Sequence, residues 1–66
     1  MRNNLKVQRA LHNLTQEQLA EKIGVSRQTI NAMESNKYVP STVLAFKLAK
    51  VFNLAVEDLF VLEKGD

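Results

Sequence analysis

Between Arg27 and Ala32 the chain reads Arg-Gln-Thr-Ile-Asn-Ala, and its arginine, glutamine and asparagine all end in planar, forked hydrogen-bonding groups. Ile30 and Met33, at i, i+3 spacing, mark the inward face of a helix running from Arg27 to about Glu34. Arg27, Gln28, Asn31 and Ala32 then lie on its outward face. A guanidinium grips two acceptors on a guanine edge and a carboxamide matches adenine, each good pair being worth roughly 1–3 kcal/mol of discrimination. A merely solvated face would more often carry Lys and Glu. The set is suited to reading base edges in double-stranded DNA, although Arg27 would serve a phosphate equally well and Asn31 is also readable as an unpartnered surface residue.

Other chemistry is poorly represented. The chain has no cysteine and a single histidine, His12, so thiolate sites, disulfides and histidine metal clusters are excluded and no metal or cofactor is expected. Neither paired carboxylates nor a nucleophile beside a base stands out, which argues against an enzyme. One tyrosine offers no stacking surface for RNA. His12 reads as a surface residue.

The elements that must position the outward set are helices, because one proline and two glycines interrupt the 66 residues. A first helix is expected from about Asn4 to Asn13, following an Asn cap. Thr15-Gln16-Glu17-Gln18 is a capping box opening a second, on which Leu19, Ala20 and Ile23 share a face and which Gly24 ends in left-handed geometry. Ser26 caps the third after a turn of about three residues. The polar loop Ser35 to Pro40 follows, then Ser41 caps a fourth helix with Leu44, Leu48, Ala49 and Phe52 inward, Lys47 and Lys50 outward, and Asn53 at its end. A short fifth helix, around Val56 to Phe60, adds Leu59 to the core but starts at Ala55, a poor cap. The expected class is all-α, one compact five-helix domain over residues 1–66, with a short C-terminal strand as an addition.

A chain this short holds one small core, and such cores rarely supply more than roughly 3–5 kcal/mol without reinforcement. Residues 1–40 carry six basic and three acidic side chains, whereas residues 41–66 carry three and four, within a net charge of +2. The basic end would face a polyanion and the acidic end would turn away. No apolar run is long enough for a membrane span and no secretory leader is evident, so a cytoplasmic, nucleoid-associated location is expected. The apolar residues Val7, Leu11, Val56, Phe60, Val61 and Leu62 exceed what one small core needs, and such a surplus usually marks an interface. Val61 and Leu62 either extend as a strand across a two-fold axis or pack on their own subunit; the surplus favours the first.

The stretch Gln16 to Glu34, Gln-Glu-Gln-Leu-Ala-Glu-Lys-Ile-Gly-Val-Ser-Arg-Gln-Thr-Ile-Asn-Ala-Met-Glu, resembles the helix-turn-helix of the Cro/CI repressor family. Leu19, Ala20, Ile23, Gly24, Val25, Ile30 and Met33 match the family's spacing, with the motif at about 16–35 and the likeness running over about residues 5–60. Glu57-Asp58-Leu59-Phe60 is similar to the ending of its short, stand-alone members. Gln8 stands where the family often has an apolar residue. The resemblance implies a lambda-repressor-like fold in a DNA-binding regulator. By position it implies base contacts from Arg27, Gln28 and Ala32, the last against a thymine methyl. It also implies phosphate contacts from Gln16 at the positive end of the second helix, from Ser26, and from the loop residues Asn36, Lys37 and Tyr38. Arg9 and Glu34 are implied as a partly buried structural ion pair. The short relatives are dimers, which makes Val56, Phe60, Val61 and Leu62 the expected dimer interface.

Taken together, the expected function is a sequence-specific transcriptional regulator, by default a repressor, whose homodimer sets two third helices into successive major grooves of a palindromic operator about 34 Å apart. The rival is a protein-interaction module, in which the apolar tail binds another protein or an unknown co-regulator. Dimer formation by the purified chain separates the two.

Overall fold

The computed structural model describes residues 1–66. In chain order it contains β1 (Arg2–Asn3), α1 (Leu5–Leu11), α2 (Gln16–Ile23), α3 (Arg27–Glu34), α4 (Thr42–Phe52), α5 (Val56–Leu59) and β2 (Phe60–Val61). The five helices surround a core in which Leu5, Leu19, Ile30, Met33, Leu48 and Leu59 are completely buried. Each such side chain contributes roughly 1.5–3 kcal/mol by leaving water. No helix is long and apolar enough to cross a membrane.

Local chemistry sets the helix ends. Thr15 Oγ1 accepts the Gln18 N–H at 3.0 Å while Gln18 Oε1 accepts the Thr15 N–H at 2.8 Å, the reciprocal bonds of a capping box. Gly24 ends α2 at φ 74°, and the Val25 N–H reaches back to the Ala20 carbonyl at 3.0 Å. A side chain at that φ would be strained, so glycine keeps the turn to α3 short. Ser26 and Ser41 cap α3 and α4 by accepting the N–H groups of Thr29 and Leu44, both at 3.2 Å. Asn53 closes α4 at φ 55°, a left-handed position asparagine tolerates. Ala55 caps α5 with no side-chain bond.

The first helix differs from expectation. It is shorter at both ends; Asn4 holds the N-cap position without a side-chain bond to the helix, its Nδ2 donating to the Asp58 carbonyl at 3.2 Å, while Asn3 Oδ1 accepts the Leu5 N–H at 3.1 Å. Only Leu5 of α1 is buried, and Val7 and Leu11 are exposed. On α4, Leu48, Ala49 and Phe52 are buried and Leu44 is half-buried.

The chain ends also require correction. The C-terminal strand exists, but it pairs within its own subunit: β2 lies antiparallel to β1, with Arg2 opposite Val61 and Asn3 opposite Phe60. The N-terminal strand had no periodic signal because it is only two residues long. Phe60, expected in a dimer interface, is 7% exposed and belongs to the core. Strand geometry alternates side chains across the sheet, so burying Phe60 turns Val61 outward. The Met1 ammonium lies 3.0 Å from Asp66 Oδ2 and 3.1 Å from Glu63 Oε1, closing the ends on each other.

Candidate nucleic-acid interface

Helix α3 is presented by what lies beneath it. Ile30 and Met33 are fully buried, and this leaves Arg27, Gln28 and Asn31 exposed with Ala32 half-buried between them. At its start the Ser26 hydroxyl, besides capping, lies 2.9 Å from Thr29 Oγ1, so one hydroxyl hydrogen of the pair is used locally and the other is left to donate. Arg27 takes part in none of the four ion pairs, and its guanidinium is free to meet a ligand. The carboxylates of Glu17 and Glu21 line the same shallow groove between α2 and α3 as Arg27 and Gln28. A second depression, lined by Gln28, Thr29, Ala32 and Tyr38, joins the outward face of α3 to the following loop.

That loop bends at Asn36, at φ 60°, whose Oδ1 accepts from Asn3 Nδ2 at 3.3 Å. Asn3 Nδ2 also donates to the Met33 carbonyl at 2.8 Å, so the N-terminal strand holds the end of α3. The Lys37 N–H donates to the Ala32 carbonyl at 2.9 Å, and the side chains of Lys37 and Tyr38 extend to solvent. Lys37, like Arg27, has no carboxylate partner.

Behind α3 sits a polar network. Arg9 Nε donates to Glu34 Oε2 at 2.7 Å and Arg9 Nη2 to Oε1 at 3.2 Å, a bidentate pair with Glu34 5% exposed. Arg9 Nη1 donates to the Leu14 carbonyl at 2.9 Å, which ties α1 to the loop before α2. Gln16 Nε2 donates to Glu34 Oε1 at 3.0 Å and to Asn31 Oδ1 at 3.3 Å. Both amide hydrogens of Gln16 are thus engaged by side chains of α3. A phosphate at this end of α2 would meet backbone N–H groups, because a phosphate needs a donor and the Gln16 side chain has only its acceptor left.

The structure therefore brings Arg27, Gln28, Asn31, Ala32 and Tyr38 to one face, with Lys37 beside it and Gln16 and Ser26 engaged in local bonds. It also adds Thr29 and Asn3, which the sequence reading passed over. Thr29 carried a signal, since it lies three residues after a serine cap. Asn3 carried none, because its bonds depend on where Met33 and Asn36 come to rest.

Of Val56, Phe60, Val61 and Leu62, only Phe60 is buried. Phe60 is in the core, whereas Val61, whose backbone pairs with Arg2, and Leu62 are exposed. Val56 is half-buried and lines a groove between α4 and α5 with Phe46, Ala49, Leu54, Lys50 and Glu57. Phe46 is 62% exposed, and Val43 lies three residues before it on the same helix, also exposed. The helix-4 pattern had marked Leu44 and Leu48 and left Phe46 unassigned.

Comparison with known proteins agrees with this geometry. Residues 5–59 match the helix-turn-helix family model. The chain is 64% identical to an HTH-type transcriptional regulator of Methanocaldococcus jannaschii over 66 residues, covering 100% of both chains. It is 47% identical over 64 residues to the HTH-type transcriptional regulator YgzD of Bacillus subtilis, covering 97% of each. Among solved structures, the SOS-response transcriptional repressor LexA of Eubacterium rectale superposes with a TM-score of 0.82 at 33% identity, covering 96% of this chain and 67% of that one. These relatives are regulators and not enzymes. The chain belongs to the Cro/CI-type helix-turn-helix family of DNA-binding transcriptional regulators.

Proposed function

We propose that the protein is a sequence-specific repressor that binds a palindromic operator as a homodimer in the cytoplasm, at the nucleoid. The observation that carries this reading is the outward face of α3, where Arg27, Gln28 and Asn31 are exposed above a fully buried Ile30 and Met33. Inserted in the major groove, Arg27 and Gln28 would grip base edges, and Ala32 is small enough to meet a thymine methyl. Lys37, Tyr38 and the Asn36 turn would hold the phosphates on one flank, while backbone amides at Gln16 and near Ser26 would hold the other. Exclusion of polymerase from an overlapping promoter is the simplest route from binding to regulation.

Dimerisation on this reading uses α4 and α5. The groove lined by Phe46, Ala49, Leu54 and Val56 carries Lys50 on the α4 wall and Glu57 on the α5 wall. Neither charge is paired within the subunit. In a two-fold contact each patch meets its own copy, so Lys50 of one subunit would face Glu57 of the other twice while Phe46 is covered. A palindromic operator requires that contact to set the two α3 helices about 34 Å apart.

Selection of bound sequences from a random duplex pool tests the function. The wild type is expected to recover a palindrome that relaxes at defined positions in Gln28→Ala. Salt-sensitive binding with no motif would overturn the sequence-specific reading.

A further inference from the structure

Asn31 is exposed on α3, yet its carboxamide is not free to turn. The constraint starts at Glu34, whose carboxylate is held by Arg9 and can only accept hydrogen bonds. Gln16 must therefore present Nε2 rather than Oε1 to Glu34, at 3.0 Å. The same Nε2 lies 3.3 Å from the Asn31 amide. Were Asn31 turned over, two amino groups would face each other, so its Oδ1 points back toward α2 and its Nδ2 points outward.

A bidentate adenine contact needs the carboxamide oxygen and nitrogen side by side on the base edge, the oxygen accepting from N6 and the nitrogen donating to N7. With Oδ1 turned toward α2, Asn31 directs its Nδ2 donors, and not its oxygen, at a base edge. Guanine shows two acceptors, O6 and N7, and so suits a donor-only group, whereas the adenine N6 amine would meet another amine. We propose that Gln16 is a specificity-determining positioning residue: by holding the oxygen of Asn31, it makes Asn31 select guanine over adenine in the major groove. This rests on the sequence-specific reading proposed above.

The test is selection from a random duplex pool with the full-length wild type and the Asn31→Ala and Gln16→Leu variants at one salt concentration, with folding of each variant checked by its thermal transition. Asn31→Ala identifies the base position that depends on Asn31. There the wild type should prefer guanine over adenine by on the order of tenfold. Gln16→Leu should bring the two bases near parity at that position alone, a change that a purely structural role would not produce. If Gln16→Leu does not fold, Gln16→Met, of closer shape, takes its place. Adenine preferred by the wild type at that position, an unchanged guanine preference in the Gln16 variant, or a motif indifferent to Asn31→Ala would each overturn the inference while leaving the regulator reading standing. Absence of any wild-type motif would remove both.

Discussion

Helices α3 and α4 begin alike and end differently. Each starts at a serine that accepts the N–H three residues on, and each buries one face in the same core. The outward face of α3 carries Arg27, Gln28 and Asn31, whereas that of α4 carries Val43 and Phe46 beside Lys47 and Lys50. Packing does not constrain outward residues, so the two compositions suit two different partners, and on the function proposed above these are base edges for α3 and an apolar surface ringed with charge for α4. Attachment differs too. Helix α3 is tied to α1 by a charged, hydrogen-bonded pair, while α4 is held by Leu48, Ala49 and Phe52.

The sharpest way to break that contrast is to cut the polar tie. Glu34→Ala strands Arg9, 17% exposed, and frees Gln16, so a loss of about 3 kcal/mol is expected. In a domain whose core supplies roughly 3–5 kcal/mol, about 0–2 kcal/mol would remain, so urea denaturation should find the midpoint moved far toward zero denaturant. A near-wild-type midpoint would mean that α3 is held by Ile30 and Met33 alone.

A change on the outer face of α4 should act on assembly instead. Phe46→Glu removes an exposed side chain, and its thermal transition should stay near that of the wild type. It places a carboxylate in the proposed two-fold contact, so the dimer should dissociate in analytical ultracentrifugation and operator affinity should fall by about a hundredfold, roughly 2.7 kcal/mol. Full dimerisation by this variant would move the interface to another surface, with the α1 stripe of Val7 and Leu11 next in line.

On α3's flank a smaller effect is expected. Lys37→Ala should weaken binding uniformly across sequences, because a phosphate contact carries no base information, and should lower the slope of log K against log salt by about 0.9. A change confined to one base position would make Lys37 a reader rather than a clamp.

Much of this arrangement was legible because it is local. The caps at Thr15, Ser26 and Ser41, the turn at Gly24 and the inward pair Ile30 and Met33 depend on residues within four positions of each other, and periodicity finds them. The outward set on α3 followed from the inward one by subtraction. What escaped depends on distant partners: Asn3 holds Met33 and Asn36, and β1 exists because β2 returns beside it. Phe60 was misplaced for the same reason, since nothing within the tail tells which side of a two-residue strand faces the core. Phe46 was overlooked because α4 has more apolar residues than one face can bury.

The closure of the chain ends gives the smallest effect and the cleanest contrast with α3. Hydrogen bonds from the Met1 ammonium to Asp66 and then Glu63 raise its pKa above the ordinary 8.0. A hydrogen bond from the Glu63 N–H, followed by that from the ammonium, lowers the Asp66 carboxyl below 3.8. The amine's contribution is complete below its unfolded value and disappears as pH rises through the raised folded one; that of Asp66 is present above its unfolded value and disappears as pH falls through the lowered one. The clasp is thus tightest between about pH 4 and 8, and because these groups are exposed its contribution is small and screened by salt. In an NMR titration from pH 6 to 10 the Val61 methyls should shift as the amine loses its proton, while the buried Ile30 methyls stay fixed. Ile30 moving together with Val61 would show that the clasp reaches the floor of α3 through Asn3, whose amide joins β1 to the end of that helix.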